Sequence, residues 1–199
     1  FIYLPEVAFD QDVFLKDLEK AFEKNCNLIV CVSEGIHDAD GTFICEYDSS
    51  VGTDTFGHKM LAGCGKYLEN LVRSRLGVKA RSVELNVSQR CSASLISATD
   101  QKEAITAGKF GVQAALNGET GKMVSFIRQT DSEGNYQMVC GLEDVNAICN
   151  EEKTVPLTWI TSDGHDVTED FIRYARPLIQ GNIEVPLGED GLPKFVYRK

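Results

Sequence analysis

Glu34 stands directly after the apolar run Asn27–Val32, in the triplet Ser33-Glu34-Gly35. In open α/β sheets, ligands bind beyond the carboxyl ends of the strands. A carboxylate at that position accepts hydrogen bonds from sugar hydroxyls, although an ordinary loop or N-cap glutamate reads the same way. The second stretch of interest runs Arg81-Ser82-Val83-Glu84-Leu85-Asn86-Val87-Ser88-Gln89-Arg90. Ser82, Glu84 and Asn86 alternate with Val83, Leu85 and Val87, the pattern of a half-buried strand. Arg90 falls just past the end of that strand, where the paired donors of a guanidinium grip a phosphate. Arg81 opens the same strand, so the two arginines need not reach one ligand on one subunit. Two surface arginines are the alternative reading.

Other stretches carry less. His37, His58 and His165 are dispersed, and none has metal-ligand spacing. His165 lies in Ser162-Asp163-Gly164-His165-Asp166, which reads as a solvated turn. Gly63-Cys64-Gly65-Lys66 sits inside a helix pattern and lacks both the upstream glycine and the following Ser or Thr of a phosphate loop. Gly118-Glu119-Thr120-Gly121-Lys122 reads as a helix-to-strand turn. Asp38, Asp40 and Gly41 look like half of a calcium loop, without the distal glutamate at the required spacing. Tyr174-Ala175-Arg176-Pro177 places a ring and a cation near a helix end, where capping is the natural role.

The elements that must hold these residues alternate between strand and helix patterns, which predicts an α/β fold with a largely parallel sheet. A strand is expected at Phe1–Leu4. A helix capped by Asp10 follows, with Val13, Phe14, Leu18, Ala21 and Phe22 at helical spacing. The run Asn27–Val32 reads as a strand buried on both faces. A long helix is expected from about Phe56 to Leu76, stopped by Gly77, then a strand at Ala80–Leu85. Thr99-Asp100 should cap a helix from Gln101 to Leu116, closed by Asn117-Gly118. Lys122–Arg128 and Tyr136–Leu142 should form a hairpin across Asp131–Asn135. A last helix, Val167–Tyr174, should stop before Pro177.

Composition narrows the function classes. Of 199 residues, 43% are hydrophobic and 25% charged, which suits a folded chain of one large or two small domains. The net charge of −10 argues against a broad nucleic-acid groove, since an acidic surface repels phosphate backbones. It leaves room for a local cluster of arginines around one phosphate group. The seven cysteines are odd in number and form no Cys-x-x-Cys pair, which points away from a disulfide framework or zinc knuckle. Buried, reduced thiols in a cytoplasmic protein are expected, with Cys26, Cys31 and Cys140 in apolar runs. No apolar run is long enough to span a bilayer. Phe1-Ile2-Tyr3-Leu4-Pro5 reads as the middle of a strand, so a further N-terminal portion is expected.

The motifs LPEVAFD, VSEGIHDADG, FGHKMLAGCG, RSVELNVSQRCSA, SATDQKEA, ALNGETGKMV and YARPLIQGN, in this order, resemble the C-terminal part of phosphofructokinases. The likeness runs from Phe1 to about Pro193 and is greatest for the pyrophosphate-dependent bacterial group. It implies a three-layer α/β/α fold with a mainly parallel sheet, of which this chain is the C-terminal part. It implies transfer of a phosphoryl group from pyrophosphate or ATP to the 1-hydroxyl of fructose 6-phosphate, with Mg²⁺, in a homo-oligomer. Glu34 would contact fructose hydroxyls and Arg90 the 6-phosphate. Arg81 would reach the phosphate of a neighbouring subunit's substrate. Asn86, Val87, Ser88 and Gln89 would lie in the same substrate-binding turn.

One departure stands out. The family usually has His or Tyr three residues before the phosphate-gripping arginine, and here Val87 has no side-chain donor; Asn86 or the backbone would have to replace it. Three further motifs of the family have no counterpart in these residues: the GGDG/GGDD donor loop, the TIDND-type segment with the catalytic base, and the MGR-type segment. No catalytic or metal-binding residue is therefore expected in this chain, with Mg²⁺ held mainly by a preceding portion. The resemblance divides the chain into 1–90, in a sugar-phosphate domain; 91–150, packing with a donor-binding domain; and 151–199, returning to the first. A sugar-phosphate-binding regulatory module and a subunit-interface scaffold are the alternatives to an enzyme fragment.

Overall fold

The structure, a computed structural model, describes residues 1–48, 63–92 and 95–194. The chain divides into two units, Phe1–Asn86 with Thr154–Phe171, and Val87–Lys153 with Ile172–Lys199. The last stretch thus changes unit after Phe171.

The first unit is built around a short parallel pair. Strand β1 (Ile2–Tyr3) lies beside β2 (Cys31–Val32), with Ile2 opposite Cys31 and Tyr3 opposite Val32. The main chain of His165 also takes part, its carbonyl accepting the Ile2 N–H at 2.8 Å. Helix α1 (Gln11–Phe22) starts at Asp10 because that carboxylate accepts the otherwise unpaired N–H groups of Asp12 and Val13. It buries Phe14, Leu15 and Leu18 and leaves Val13 outside. These three pack with Phe9, Ile36, Ile44, Cys45, Cys64, Leu68 and Val72 into one core, in which Ile36 and Ile44 are wholly buried. Each such aliphatic or aromatic side chain contributes about 1.5–3 kcal/mol by leaving water. Helix α2 (Cys64–Leu76) supplies Cys64, Leu68 and Val72 and ends at Gly77, whose φ of 66° few other residues tolerate. It begins at Cys64, because Gly63 has a left-handed φ of 90° that breaks the helix expected to run on from Phe56; residues 49–62 lie outside the described residues.

Three expectations for this unit are corrected. Only Cys31–Val32 of the run Asn27–Val32 is paired, and it is not buried on both faces. Leu28, Val30 and Val32 pack on the core, whereas Ile29 is 79% exposed and Cys31 is exposed. A strand is buried twice only if layers cover both faces, and one face here has no cover among the described residues. For the same reason Cys31 is not a buried thiol, and Cys26 is exposed as well; all seven cysteines are free. Residues 80–85 form no strand, because no neighbour pairs with them among the described residues.

The second unit pairs one long helix with one hairpin. Helix α3 (Ser88–Cys91) is a single turn, and α4 (Ala98–Leu116) begins three residues earlier than expected. Its cap is Ser97, whose hydroxyl oxygen accepts the Asp100 N–H at 3.0 Å, not Thr99-Asp100. Ser97 prevails because its hydroxyl also donates to the Leu178 carbonyl at 2.6 Å, a partner 81 positions away. Strands β3 (Lys122–Thr130) and β4 (Tyr136–Asp144) run antiparallel, from Lys122 opposite Asp144 to Thr130 opposite Tyr136. Asp131 closes the turn by accepting the N–H groups of Glu133 and Asn135. Helix α4 lies against this hairpin, with Gly111 close to Val124 and Ala114 buried. The short helix α5 (Val145–Ile148) follows β4.

Helix α6 (Glu169–Ala175) starts two residues later than expected and runs into a 3₁₀ turn, Arg176–Ile179, that includes Pro177. Its C-terminal carbonyls are capped from the hairpin and not from Arg176. Arg128 donates to the carbonyls of Tyr174 at 2.9 Å and Arg173 at 3.3 Å. The same guanidinium lies 4.5 Å from the Tyr136 ring and 4.8 Å from that of Tyr174. No helix among the described residues is long and apolar enough to cross a membrane.

Candidate functional site

Glu34 follows β2 in a tight turn. Ile36 N–H bonds to the Ser33 carbonyl, and Gly35 N–H to the Ser33 hydroxyl. Ile36 anchors the turn in the core, which leaves Glu34 exposed at the end of the parallel pair. Its carboxylate has no hydrogen-bond partner among the described residues, so it is available to a ligand.

Arg81 lies elsewhere in the first unit, at the foot of α2. It lines a shallow cavity of about 530 Å³ with Glu69, Arg73, Gly77, Val78, Lys79 and Ala80. Glu69 organises this corner. Its carboxylate pairs with Lys66 at 2.8 Å and Arg73 at 3.4 Å, and accepts both the N–H and the hydroxyl of Ser82. The Lys66 hydrogen bond, then the two from Ser82, hold the Glu69 carboxyl down at about pH 2. Lys79 and Arg81 have no ion-pair partner among the described residues. Sequence reasoning missed Glu69, Arg73 and Lys79. The spacing of Lys66, Glu69 and Arg73 at i, i+3 and i+7 is a readable signal of one helix face.

The remaining candidates are contiguous. Asn86 has a left-handed φ of 42°. Val87 precedes α3 and its carbonyl accepts the N–H groups of Arg90 and Cys91 at 2.9 and 3.0 Å. Ser88, Gln89 and Arg90 share the single turn of α3 and are all exposed. The structure thus gathers Ser88, Gln89 and Arg90 on one turn and leaves the Arg90 guanidinium without a partner among the described residues. Arg81 is not part of that turn. The side chain of Val87 is 66% exposed and offers no donor.

Two minor features are settled by their contacts. Asp38 does not form half of a cation loop: it accepts the N–H groups of Asp40 and Thr42 and the hydroxyl of Tyr47. These bonds lower the Asp38 pKa and push that of Tyr47 up to about 12. His165 is not freely solvated. Its ring lies 3.7 Å from Asp17, 3.6 Å from Asp163 and edge-on to Phe1. Among the described residues no group of three or more His, Cys, Asp or Glu could hold a metal ion.

By their chemistry, a strand-end carboxylate suits sugar hydroxyls, and an exposed arginine on a one-turn helix suits a phosphate group. No family model matches the chain. It is 36% identical over 198 residues, all of this chain and 46% of the relative, to the pyrophosphate–fructose 6-phosphate 1-phosphotransferase of Xanthomonas campestris pv. campestris (strain B100). It is 35% identical over 195 residues, 98% of this chain and 45% of the relative, to the protein of the same name from Methylococcus capsulatus. Its fold matches the crystal structure of a pyrophosphate-dependent phosphofructokinase from Nitrosospira multiformis, with a TM-score of 0.79 and 29% identity over 98% of this chain and 44% of that one. Over nearly its whole length the chain is similar to phosphofructokinases, and it spans a little under half the length of these relatives.

Proposed function

We propose that this chain supplies the fructose 6-phosphate side of a phosphofructokinase reaction, in which a phosphoryl group passes from pyrophosphate, or ATP, to the sugar 1-hydroxyl. The observation that carries the reading is the whole-length likeness to proteins named for that reaction. In this reading Arg90 grips the 6-phosphate with paired donors. Ser88 and Gln89 present polar side chains on the same turn, and the main chain at Asn86 and Val87 shapes it. Glu34 accepts hydrogen bonds from fructose hydroxyls. Arg81, on its cavity, reaches the phosphate of a substrate bound to a neighbouring copy in a homo-oligomer.

Phosphoryl transfer depends mainly on positioning and charge stabilisation. These 199 residues contain neither the glycine-rich donor loop nor the segment with the base. The chain is therefore a substrate-binding part whose donor-side groups come from elsewhere, with residues 91–150 packing toward them. The resemblance implies Mg²⁺, but the described residues offer no ligand set for it, so no step is routed through a metal on this chain.

The test is twofold. Calorimetric titration of the purified chain with fructose 6-phosphate should show binding that Arg90→Ala weakens. Coupled assays with pyrophosphate and with ATP should show no turnover. Robust phosphotransfer by these residues alone would overturn the proposed division of labour, and equal affinity of the Arg90→Ala variant would remove Arg90 from the site.

A further inference from the structure

Lys79 and Arg81 are exposed cations two positions apart, and neither has an ion-pair partner among the described residues. Val78 and Ala80 pack against the core of the first unit, which turns Lys79 and Arg81 outward, into the cavity at the foot of α2. The segment is pinned just beyond them. Glu69 accepts both donors of Ser82, and the missing side chain of Gly65 lets Ser82 lie close, since a Cβ there would be 3.3 Å from the Ser82 Cβ. The nearby acids are already engaged. Glu69 is taken by Lys66, Arg73 and Ser82, and Asp12 by Arg75 at 3.3 Å. Glu84 lies against Gly65 and does not line the cavity. Nor do the two cations serve the end of α2. Arg73 and Arg75 occupy its last turn, and the pull of the helix dipole fades within that turn, whereas Lys79 and Arg81 lie past the Gly77 stop. Residues 64–86 carry five basic and two acidic side chains, a net +3 in a chain of net −10. Two like charges held side by side without a counter-charge repel each other, and an anion between them removes that cost.

We propose that this cavity binds a single phosphate group, gripped by Lys79 and Arg81 together. The inference rests on the reading of Arg81 as a phosphate contact and adds Lys79 as its second cation. The guanidinium supplies paired donors in one plane and the ammonium three more on a flexible stem, so one tetrahedral dianion satisfies both. The cavity is shallow, so it takes the phosphate of a monoester and leaves the sugar outside. Lys79 thereby favours a phosphorylated sugar over a neutral one.

In the experiment the purified chain is titrated with inorganic phosphate, fructose 6-phosphate and fructose while the amide shifts of residues 77–82 are followed. Phosphate and fructose 6-phosphate should both move these shifts and saturate with a Kd of about 1 mM or tighter; fructose should move none. Lys79→Ala should weaken the phosphate effect by about tenfold, and so should Arg81→Ala, the size of one lost charge-assisted contact. Lys79→Arg should restore it. Shifts of the Phe14, Ile36 and Leu68 core, unchanged throughout, show that each variant is folded. Wild-type affinity in Lys79→Ala would overturn the proposal. So would shifts that grow without saturating, the mark of an adventitious ion only, and so would a response to fructose. If fructose 6-phosphate moved residues 77–82 but not 86–91, the reading of Arg90 would fall and the cavity would stand. If it moved 86–91 alone, and inorganic phosphate left 77–82 in place, the cavity would fall and the reading of Arg90 would stand.

Discussion

One carboxylate oxygen of Glu69 accepts both donors of Ser82, the main-chain N–H at 2.9 Å and the hydroxyl at 2.8 Å. Ser82 lies in a segment with no strand partner among the described residues, where this double contact does what a sheet ladder would otherwise do. It fixes the segment between the Gly77 stop of α2 and Asn86, along with Lys79 and Arg81. Replacing Glu69 by Ala should free that segment. Faster hydrogen exchange at the Ser82 amide, with the α2 amides unchanged, is the expected sign; unchanged protection of Ser82 would refute it.

The same contact has a pH signature. The folded Glu69 carboxyl titrates at about 2, against an ordinary glutamate value of 4.5. A depressed carboxyl contributes stability that is fully present above about pH 4.5 and is lost as pH falls toward 2. The urea midpoint should therefore drop through this window in the wild type, and drop less in Glu69→Gln. Parallel curves for the two proteins would show that Glu69 does not contribute.

Arg90→Ala should weaken fructose 6-phosphate binding by roughly ten- to a hundredfold, the range for losing a charge-assisted contact. Stability should not change, because the side chain is exposed and has no partner among the described residues. In an enzyme that includes the donor side, the effect should fall on KM more than on kcat, since a remote phosphate contact contributes binding energy. A loss confined to kcat would place Arg90 at the reacting end.

Arg128 both caps α6 and lies between two tyrosine rings. Arg128→Ala should destabilise the second unit by about 1 kcal/mol, from a helix-end cation and exposed cation–π contacts. Arg128→Lys should recover only part of this, because an ammonium cannot fork across two carbonyls. Full recovery by lysine in denaturant melts would reduce the role of Arg128 to its charge.

Gly181 is a stricter case. Its φ is 79°, and a Cβ placed there would lie 2.7 Å from the Ala98 Cβ. Its carbonyl also accepts the Ala98 N–H at 3.1 Å. Gly181→Ala combines strain with overlap at the start of α4, and should cost about 2–4 kcal/mol. A thermal midpoint equal to wild type would contradict this.

What could be read in the sequence was whatever local chemistry decides. Asp10 announced α1, Gly77 the end of α2, and Asp131 with Gly134-Asn135 the hairpin turn. What could not be read depended on distant partners. Thr99-Asp100 is as good a cap as Ser97 until Leu178 is seen to accept the Ser97 hydroxyl. The apolar run Asn27–Val32 suggests burial on two faces, but whether Ile29 and Cys31 are covered depends on the layer opposite. Alternation in residues 80–85 shows a strand-like preference, and no neighbour among the described residues takes it up. The candidate site divides in the same way. Glu34 and Arg90 could be singled out as candidates because strand-end acids and arginines are recognisable by type. The left-handed backbone of Asn86 was not legible, since asparagine permits such a turn without requiring it. Nor was the reach of Glu69 to Ser82.

The hydrogen bond from the Ile2 N–H to the His165 carbonyl has a consequence for synthesis. The partners are separated by most of the chain, and ribosomes add about 5–20 residues per second. The edge of β1 therefore waits on the order of ten seconds or more before its partner leaves the exit tunnel. In that interval Phe1, Tyr3 and the open edge are exposed to other nascent chains and to chaperones, so slower translation across residues 154–171 should lower the soluble yield.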